Sequence, residues 1–218
     1  MKTLFRPLIV LLCTAVAFSS CMKDDSAERE AEQRQQEEAI AASLAADETK
    51  IEAYLDAHPS EGWQEDETEY PLTLIGKTPK RGFWFEILEE PTEDDDEAYT
   101  YELSSSGGVV WPKVKVTYTA WLLDGTEVQS EESGDFDFAT FRSNTSVYNG
   151  VWFASFFPKS IRYNSVDYDI GGLTAKGLKK GSKIRIVSPS LWAFGSVAVG
   201  DIPANSPLVY EFEVLSIE

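Results

Sequence analysis

The alternation of side chains in residues 177–218 constrains the fold of this chain more than any other feature. Ile184 and Ile186 alternate with charged residues, and after a loop rich in proline and glycine, apolar residues recur at every second position from Leu208 to Val214. A period of two is typical of β-strands, because successive side chains of a strand point to opposite faces of its sheet. The sequence therefore predicts two strands connected by a long ordered loop.

Further strands are predicted upstream of this pair. Residues 114–128 alternate in the same way around Asp124 and Gly125, a dipeptide that favours a tight hairpin because glycine adopts positive φ without strain. An apolar run at residues 82–88 predicts a strand that precedes this hairpin. Residues 99–103 are a weaker strand candidate.

Three motifs in these stretches together resemble those of the FKBP family of peptidyl-prolyl isomerases. The first is the strand and hairpin motif, matched here by Val114, Val116, Tyr118, Thr119, Asp124 and Gly125. The second runs from the end of the family's helix into the long loop, matched by Leu178, Gly181, Pro189, Ala193, Phe194 and Gly195. The third closes the domain, matched by Ile202, Pro203, Asn205, Leu208, Tyr210 and Phe212. The resemblance covers residues 109–218, about half of the chain.

This resemblance implies an α+β fold in which a twisted antiparallel sheet wraps around one short helix, preceded by an N-terminal helical extension. It also implies catalysis of rotation about Xaa-Pro bonds in proline-containing polypeptides, with no cofactor. The barrier to this rotation, ~18–20 kcal/mol, comes from amide resonance. An apolar cup that binds the twisted imide better than the planar form lowers it without acid, base or metal.

The family's motifs place the site residues as well. The resemblance implies catalytic positions at Tyr118, Phe194, Ile202 and Tyr210, with the backbone N–H of Ile202 as the anchor of the substrate carbonyl. Substrate contacts are expected from Val128, Gln129, Phe136, Phe138 and Leu173. For each of these side chains, ordinary core packing is the alternative interpretation.

Three departures from the family's pattern weaken the catalytic expectation. Gln129 stands where the family has an aspartate, and Phe194 lacks the hydroxyl of the family's loop tyrosine. Counting back from Gly181 predicts the short helix at residues 172–178, which leaves Gly171 or Leu173 in place of the tryptophan at the pocket floor. A weakly active or inactive binding module and a structural surface lipoprotein are therefore the alternatives to a folding helper for exported proteins.

The N-terminus predicts export and lipid anchoring. A basic start, an apolar run and two serines occupy residues 1–20, ahead of Cys21, as in a lipoprotein signal peptide. The run is shorter than the roughly 20 residues of a membrane-spanning helix. Acylation of Cys21 would tether the protein to a membrane of the bacterial cell envelope, on the periplasmic or the outer surface. A free thiol at Cys21 is the alternative.

Residues 21–36 predict an acidic linker, and residues 37–108 predict a helix followed by the leading strand. Ile40, Leu44, Ile51 and Tyr54 recur at helical spacing, and the stripe ends at His58, which precedes a proline. This stripe must dock, either on the body of the protein or on a second copy, and the oligomeric state stays open. We interpret His58, the sole histidine, as a helix cap or surface residue.

A long aromatic segment at about residues 139–170 has no counterpart in compact members of the family. Its aromatic residues include Phe141, Tyr148, Trp152, Phe153, Phe156, Phe157, Tyr163 and Tyr168. We expect it to form either a wall of the pocket or a separate small core. A net charge of −18 excludes nucleic acid as a partner, because its phosphates would be repelled.

Overall fold

An antiparallel sheet forms the body of the protein, and the computed structural model describes residues 26–92 and 99–218. Its strands are β1 (Gln64–Glu65), β2 (Trp84–Glu89), β3 (Lys113–Leu122), β4 (Glu127–Asp137), β7 (Lys183–Ser188) and β8 (Leu208–Ile217). They lie in the order β1-β2-β7-β8-β3-β4, with every neighbouring pair antiparallel. A separate hairpin pairs β5 (Ser160–Tyr163) with β6 (Val166–Asp169).

Two α-helices and two 3-10 helices complete the described fold. They are α1 (Ser26–Ala57), α2 (Gly150–Phe156) and the 3-10 turns Phe138–Ser143 and Ser190–Trp192. The α+β architecture expected from the sequence is confirmed. The predicted signal peptide and Cys21 lie outside the described residues. None of the helices that the structure describes is both long and apolar enough to cross a membrane.

The strands predicted from alternation are present where the sequence placed them. The turn between β3 and β4 contains Gly125 at φ +87°, which is the conformation that the Asp-Gly dipeptide favours. The leading strand is β2, which pairs with β7. Residues 99–103 do not form a strand, and only Leu103 bridges, to Val109.

The alternation has a physical reason, because the two faces of the sheet have different surroundings. On one face, Ile184, Ile186 and the other inward residues belong to the main core, which also contains α2. On the other face, Val187 and Val209 pack with Ile51 of α1. A shift of one residue in any strand would exchange these two sets of contacts.

Helix α1 begins at Ser26, so the described part of the predicted linker, residues 26–36, is helical instead. Apolar burial does not explain this end of the helix, but polar contacts do. The Arg34 guanidinium donates to the carbonyl of Leu74 at 2.7 Å, and a Glu37 oxygen accepts from the N–H groups of Leu74 and Ile75 at 2.8 and 3.1 Å. The loop around Leu74 therefore holds the first half of α1 to the body.

The predicted helix at residues 172–178 is wrong. The short helix is α2, capped at its start by Asn149 and followed by Pro158, which cannot continue a helix. Residues 172–178 instead run as irregular backbone directly beneath α2, where Leu173 donates its N–H to the carbonyl of Ala154 at 2.8 Å. A Cβ atom at Gly172 would lie 1.7 Å from the Phe157 carbonyl oxygen, so this approach requires glycine.

The aromatic segment is thus divided between two roles. Its α2 part lies in the main core, and its β5-β6 part is a hairpin with Val166 and Tyr168 exposed. The hairpin lies between α2 and Gly181, so counting back from Gly181 could not locate the helix.

Candidate active site

Trp152, in the middle of α2, is the centre of the aromatic cluster in the main core. Its side chain is fully buried. The Asn149 side chain fixes the start of α2, because its Oδ1 accepts from the N–H of Val151 at 3.0 Å. Such an N-cap satisfies one of the unpaired N–H groups in the first turn of a helix.

The residues predicted from the first motif and the following strand meet on this tryptophan. Ring centroids of Tyr118 and Phe136 lie 5.0 and 4.9 Å from that of Trp152, and the Phe138 ring lies 6.3 Å away. Edge and tilted contacts at these distances are favourable between aromatic rings. Three further rings close the cluster around Trp152: Tyr148, Phe156 and Phe212.

Sequence reasoning missed Trp152 as the floor of this cluster, and Leu173 does not occupy that position. Leu173 is buried beneath α2, on the irregular segment. Two signals in the sequence mark the true helix: Asn149 is a strong N-cap residue and Pro158 is a stop shortly after the end.

Tyr210 approaches the cluster from β8, stacked on Phe212 at 5.4 Å. Its hydroxyl oxygen accepts a hydrogen bond from Nδ2 of Asn149 at 2.9 Å. Burial raises the pKa of Tyr210 well above its usual value, and the Asn149 hydrogen bond opposes that shift only in part. Tyr210 therefore keeps its proton, and its hydroxyl oxygen accepts from the residue that caps α2, which links β8 to the start of that helix.

Phe194 and Ile202 lie on the loop of residues 189–207, which follows β7. Both pack on the main core, Phe194 half-buried and Ile202 fully buried. The N–H of Ile202 donates to the carbonyl of Val199 at 2.9 Å. The role of this N–H as the anchor of a substrate carbonyl stays a prediction, and it would require the N–H to leave the turn that uses it in this conformation.

The loop meets α2 at a close backbone contact. A Cβ atom at Gly150 would lie 2.8 Å from the carbonyl oxygen of Trp192. The loop that carries Phe194 therefore lies directly against the start of α2.

Polar groups at the cluster are few. The Gln129 amide donates through Nε2 to the carbonyl of Ser146 at 2.8 Å, and Val128 beside it is half-buried. Gln129 Oε1 and Trp152 Nε1 are both buried without a hydrogen-bond partner in the described part of the chain. An unpaired buried donor or acceptor is costly, so a ligand with a matching group would gain a hydrogen bond from either atom only if the cluster opened.

Tyr118 has the properties of a hydrogen-bond donor to such a ligand. Burial, and to a smaller extent the nearby Glu131, raise the pKa of Tyr118, so that it keeps its proton. Its hydroxyl makes no hydrogen bond within residues 26–92 and 99–218. The cluster is thus apolar with one free phenol and few other polar groups, which suits a neutral, apolar ligand with a carbonyl group.

Three surface cavities of the described structure lie on the face of the sheet that α1 covers, opposite the aromatic cluster. Their volumes are about 720, 490 and 550 Å³, and each has residues of α1 in its walls. None of the three is lined by Trp152 or by a predicted site residue.

Comparison with known proteins relates the chain to one group of enzymes. No protein-family profile matches it. It is 31% identical over 135 residues to the FKBP-type peptidyl-prolyl cis-trans isomerase FkpA of Aeromonas hydrophila, an alignment that covers 59% of this chain and 41% of that protein. It is 32% identical over 124 residues to FkpA of Escherichia coli K12, covering 54% of this chain and 37% of that protein. The chain therefore spans about two fifths of the length of these relatives.

Solved structures also align with the chain. The crystal structure of Escherichia coli FkpA aligns at 21% identity and a TM-score of 0.44, covering 88% of this chain and 68% of that one. A peptidyl-prolyl cis-trans isomerase from Pseudomonas syringae aligns at 19% identity and a TM-score of 0.46, covering 82% and 95%. The sequence relatives confirm the resemblance seen in the motifs: this chain is similar to the FKBP-type peptidyl-prolyl cis-trans isomerases.

Proposed function

We propose that the protein is a peptidyl-prolyl cis-trans isomerase that assists the folding of exported proteins. The observation that carries the proposal is the meeting of Tyr118, Phe136 and Phe138 on the Trp152 ring. These three residues were chosen from the sequence motifs, and they converge on a tryptophan that the motifs did not locate. The similarity to FKBP-type isomerases supports the same activity.

The proposed chemistry needs only binding. The proline ring and the twisted imide would lie among the aromatic rings, where a planar, charge-separated amide is stabilised less than in water. The Tyr118 hydroxyl would donate to the substrate carbonyl. Each tenfold acceleration needs about 1.4 kcal/mol of preference for the twisted form, and one hydrogen bond contributes ~0.5–1.5 kcal/mol.

The proposed clients are proline-containing polypeptides in the bacterial cell envelope. Acylation of Cys21 would hold the protein on a membrane while α1 connects that anchor to the body. Without residues 1–20 the protein would lose Lys2 and Arg6 and carry 17 basic and 37 acidic residues, a net charge of −20, which keeps such a protein soluble above the membrane surface.

A second function, ligand binding without catalysis, is favoured by a specific set of contacts. Trp152 is fully buried, the Ile202 N–H and the Tyr210 hydroxyl are already hydrogen-bonded, and Phe194 has no hydroxyl. A cup in this state must open before a proline can enter. If the opened cup binds the planar and the twisted imide equally well, the protein would be a binding module.

The deciding experiment is NMR exchange spectroscopy of a short Xaa-Pro peptide with and without the purified protein. Uncatalysed exchange takes tens to hundreds of seconds, so weak acceleration is detectable. Acceleration that disappears in Tyr118→Ala, but not in the exposed hairpin variant Tyr168→Ala, supports the isomerase.

Absence of acceleration combined with broadened peptide signals would support the binding module instead. Absence of both effects would contradict a proline site in this cluster.

A further inference from the structure

Ser190 is the residue of the loop 189–207 to which the following loop residues are hydrogen-bonded. The Ser190 carbonyl accepts the N–H groups of Ala193 and Gly195 at 3.1 and 2.7 Å, and the Gly195 carbonyl accepts that of Asn205 at 2.7 Å. The position of Ser190 therefore determines where the rest of the loop lies, including Phe194.

A carboxylate from outside the FKBP-like half of the chain holds Ser190. One oxygen of Asp47, on α1, accepts both the N–H and the hydroxyl of Ser190, at 2.9 and 2.5 Å. Its other oxygen accepts from Lys50 Nζ at 3.0 Å, and the same ammonium lies 3.5 Å from the carbonyl of Asn205. Helix α1 thus contacts the loop near both of its ends.

A second contact from the N-terminal half reinforces the first. Trp192 donates its indole N–H to the carbonyl of Arg81 at 2.8 Å. The Arg81 guanidinium is fixed in turn, because it donates to buried Asp66 at 2.7 Å and to the carbonyl of Gly171 at 2.6 Å.

Asp47 is not the only residue that attaches α1. The neighbouring contacts of α1 with the sheet are apolar, through Ile51, Tyr54 and Leu55, and such contacts suffice to dock a helix. A carboxylate that is only 1% exposed is costly unless every oxygen is paired. Here the donors that pair it belong to Ser190 of the loop and to Lys50, so Asp47 ties the loop to a helix that the apolar contacts also hold.

We propose that Asp47 is a positioning residue, which through Ser190 holds the loop bearing Phe194 and Ile202 against the start of α2. The helical extension would then be part of the site, and the FKBP-like half alone would lack an ordered loop. This proposal rests on the proposed isomerase function, and its physical part is measurable without that function.

The test is amide hydrogen exchange of Ala193, Gly195 and Asn205 in the full chain. Hydrogen bonds to a charged group are strong enough that their loss in Asp47→Ala should speed this exchange about tenfold to a hundredfold. Asp47→Asn keeps an acceptor oxygen for Ser190, so its amide exchange rates should lie within about threefold of those of the unsubstituted protein. Glu48→Ala, at an exposed neighbouring position, should have no effect.

A second control separates the loop from the helix as a whole. Ile51→Val weakens the apolar docking of α1 but leaves Asp47 in place, so it should not expose the loop amides selectively. If Asp47→Ala does not fold, Ser190→Ala removes the hydroxyl donor alone and should speed the same amides by about tenfold. Equal loop exchange in Asp47→Ala and Glu48→Ala would overturn the proposal, as would selective exposure in Ile51→Val.

The effect of Asp47 on catalysis is tested by measuring KM and kcat for isomerisation of the peptide. Displacing one wall of the cup should raise KM for the peptide about tenfold in Asp47→Ala, with kcat changed less and with rescue in Asp47→Asn. A mobile loop with unchanged KM would refute the positioning role. A mobile loop in a protein that never catalyses exchange would refute the isomerase and leave the structural link intact.

Discussion

Replacing Tyr210 by phenylalanine removes one hydroxyl from the interior, and with it the hydrogen bond from Asn149. Asn149 also caps α2, so the two residues connect β8 to the helix that contains Trp152. The perturbation therefore tests whether this link, rather than ring packing alone, positions the aromatic cluster.

The structure sets the expected magnitudes. Loss of one neutral hydrogen bond costs about 0.5–1.5 kcal/mol, and we expect the upper end in Tyr210→Phe because the Asn149 amide stays buried without an acceptor. Asn149→Ala also loses the N-cap, which adds about 1 kcal/mol. The double variant should cost less than the sum of the two by about 0.5–1.5 kcal/mol, because the shared bond is lost only once.

Urea unfolding followed by tryptophan fluorescence measures these free energies. In a separate thermal unfolding experiment, a loss of about 1 kcal/mol should lower the melting temperature by ~2–4 °C in a chain of this size. Tyr118→Phe is the matched control. It also removes a hydroxyl from a buried ring, but one without a hydrogen bond in the described chain, and should change stability by less than about 0.5 kcal/mol.

Strict additivity of Tyr210→Phe and Asn149→Ala would refute this reasoning. So would equal costs for the Tyr210 and Tyr118 variants, since both would then report ring packing and not the link.

Three other outcomes are expected. Gly172→Ala should lower the free energy of unfolding in urea by at least about 3 kcal/mol, because the added Cβ would overlap the Phe157 carbonyl. A Cβ at Gly108 meets no such contact, so an equally small loss of stability in Gly172→Ala and Gly108→Ala would contradict the close approach. Burial raises the pKa of Tyr101 and Tyr210 in the folded protein, so both contribute fully to stability below the unfolded tyrosine pKa of about 10, and this contribution is lost as the pH rises above it. The free energy of unfolding, measured from pH 8 to 11, should therefore fall only above about pH 10. A flat profile would contradict the burial of these two tyrosines. Phe194→Tyr should raise kcat/KM for a proline peptide by up to about tenfold, and no gain in a folded variant would place that side chain away from the substrate.

Strand positions were predictable from the sequence because the two faces of the sheet have different surroundings. Ile184 and Ile186 face the main core. Lys183 and Arg185 lie on the other face and form ion pairs with Glu211, so apolar and charged residues alternate. The hairpin at Gly125 was predictable because its backbone conformation is nearly restricted to glycine.

The floor of the candidate site was not predictable by spacing. The β5-β6 hairpin separates Trp152 from Gly181, so a count from the loop reaches the irregular segment at Leu173. That Asp47 has a buried partner was easier to predict from the sequence. It lies between Leu44 and Ile51 in the apolar stripe of α1, and a charged residue in such a stripe indicates a buried partner. The identity of that partner, Ser190, depends on tertiary structure alone.

The two borders of the large sheet differ in a way that bears on aggregation. One border is β1, a strand of only two residues. The other is β4, whose pairing with β3 is interrupted at two positions, and which contains Ser133 at φ +68° and acidic residues including Glu131, Glu132 and Asp135. Short, bulged and charged borders are poor templates for an additional strand. These borders therefore oppose edge-to-edge pairing of the sheet with the sheet of a second copy.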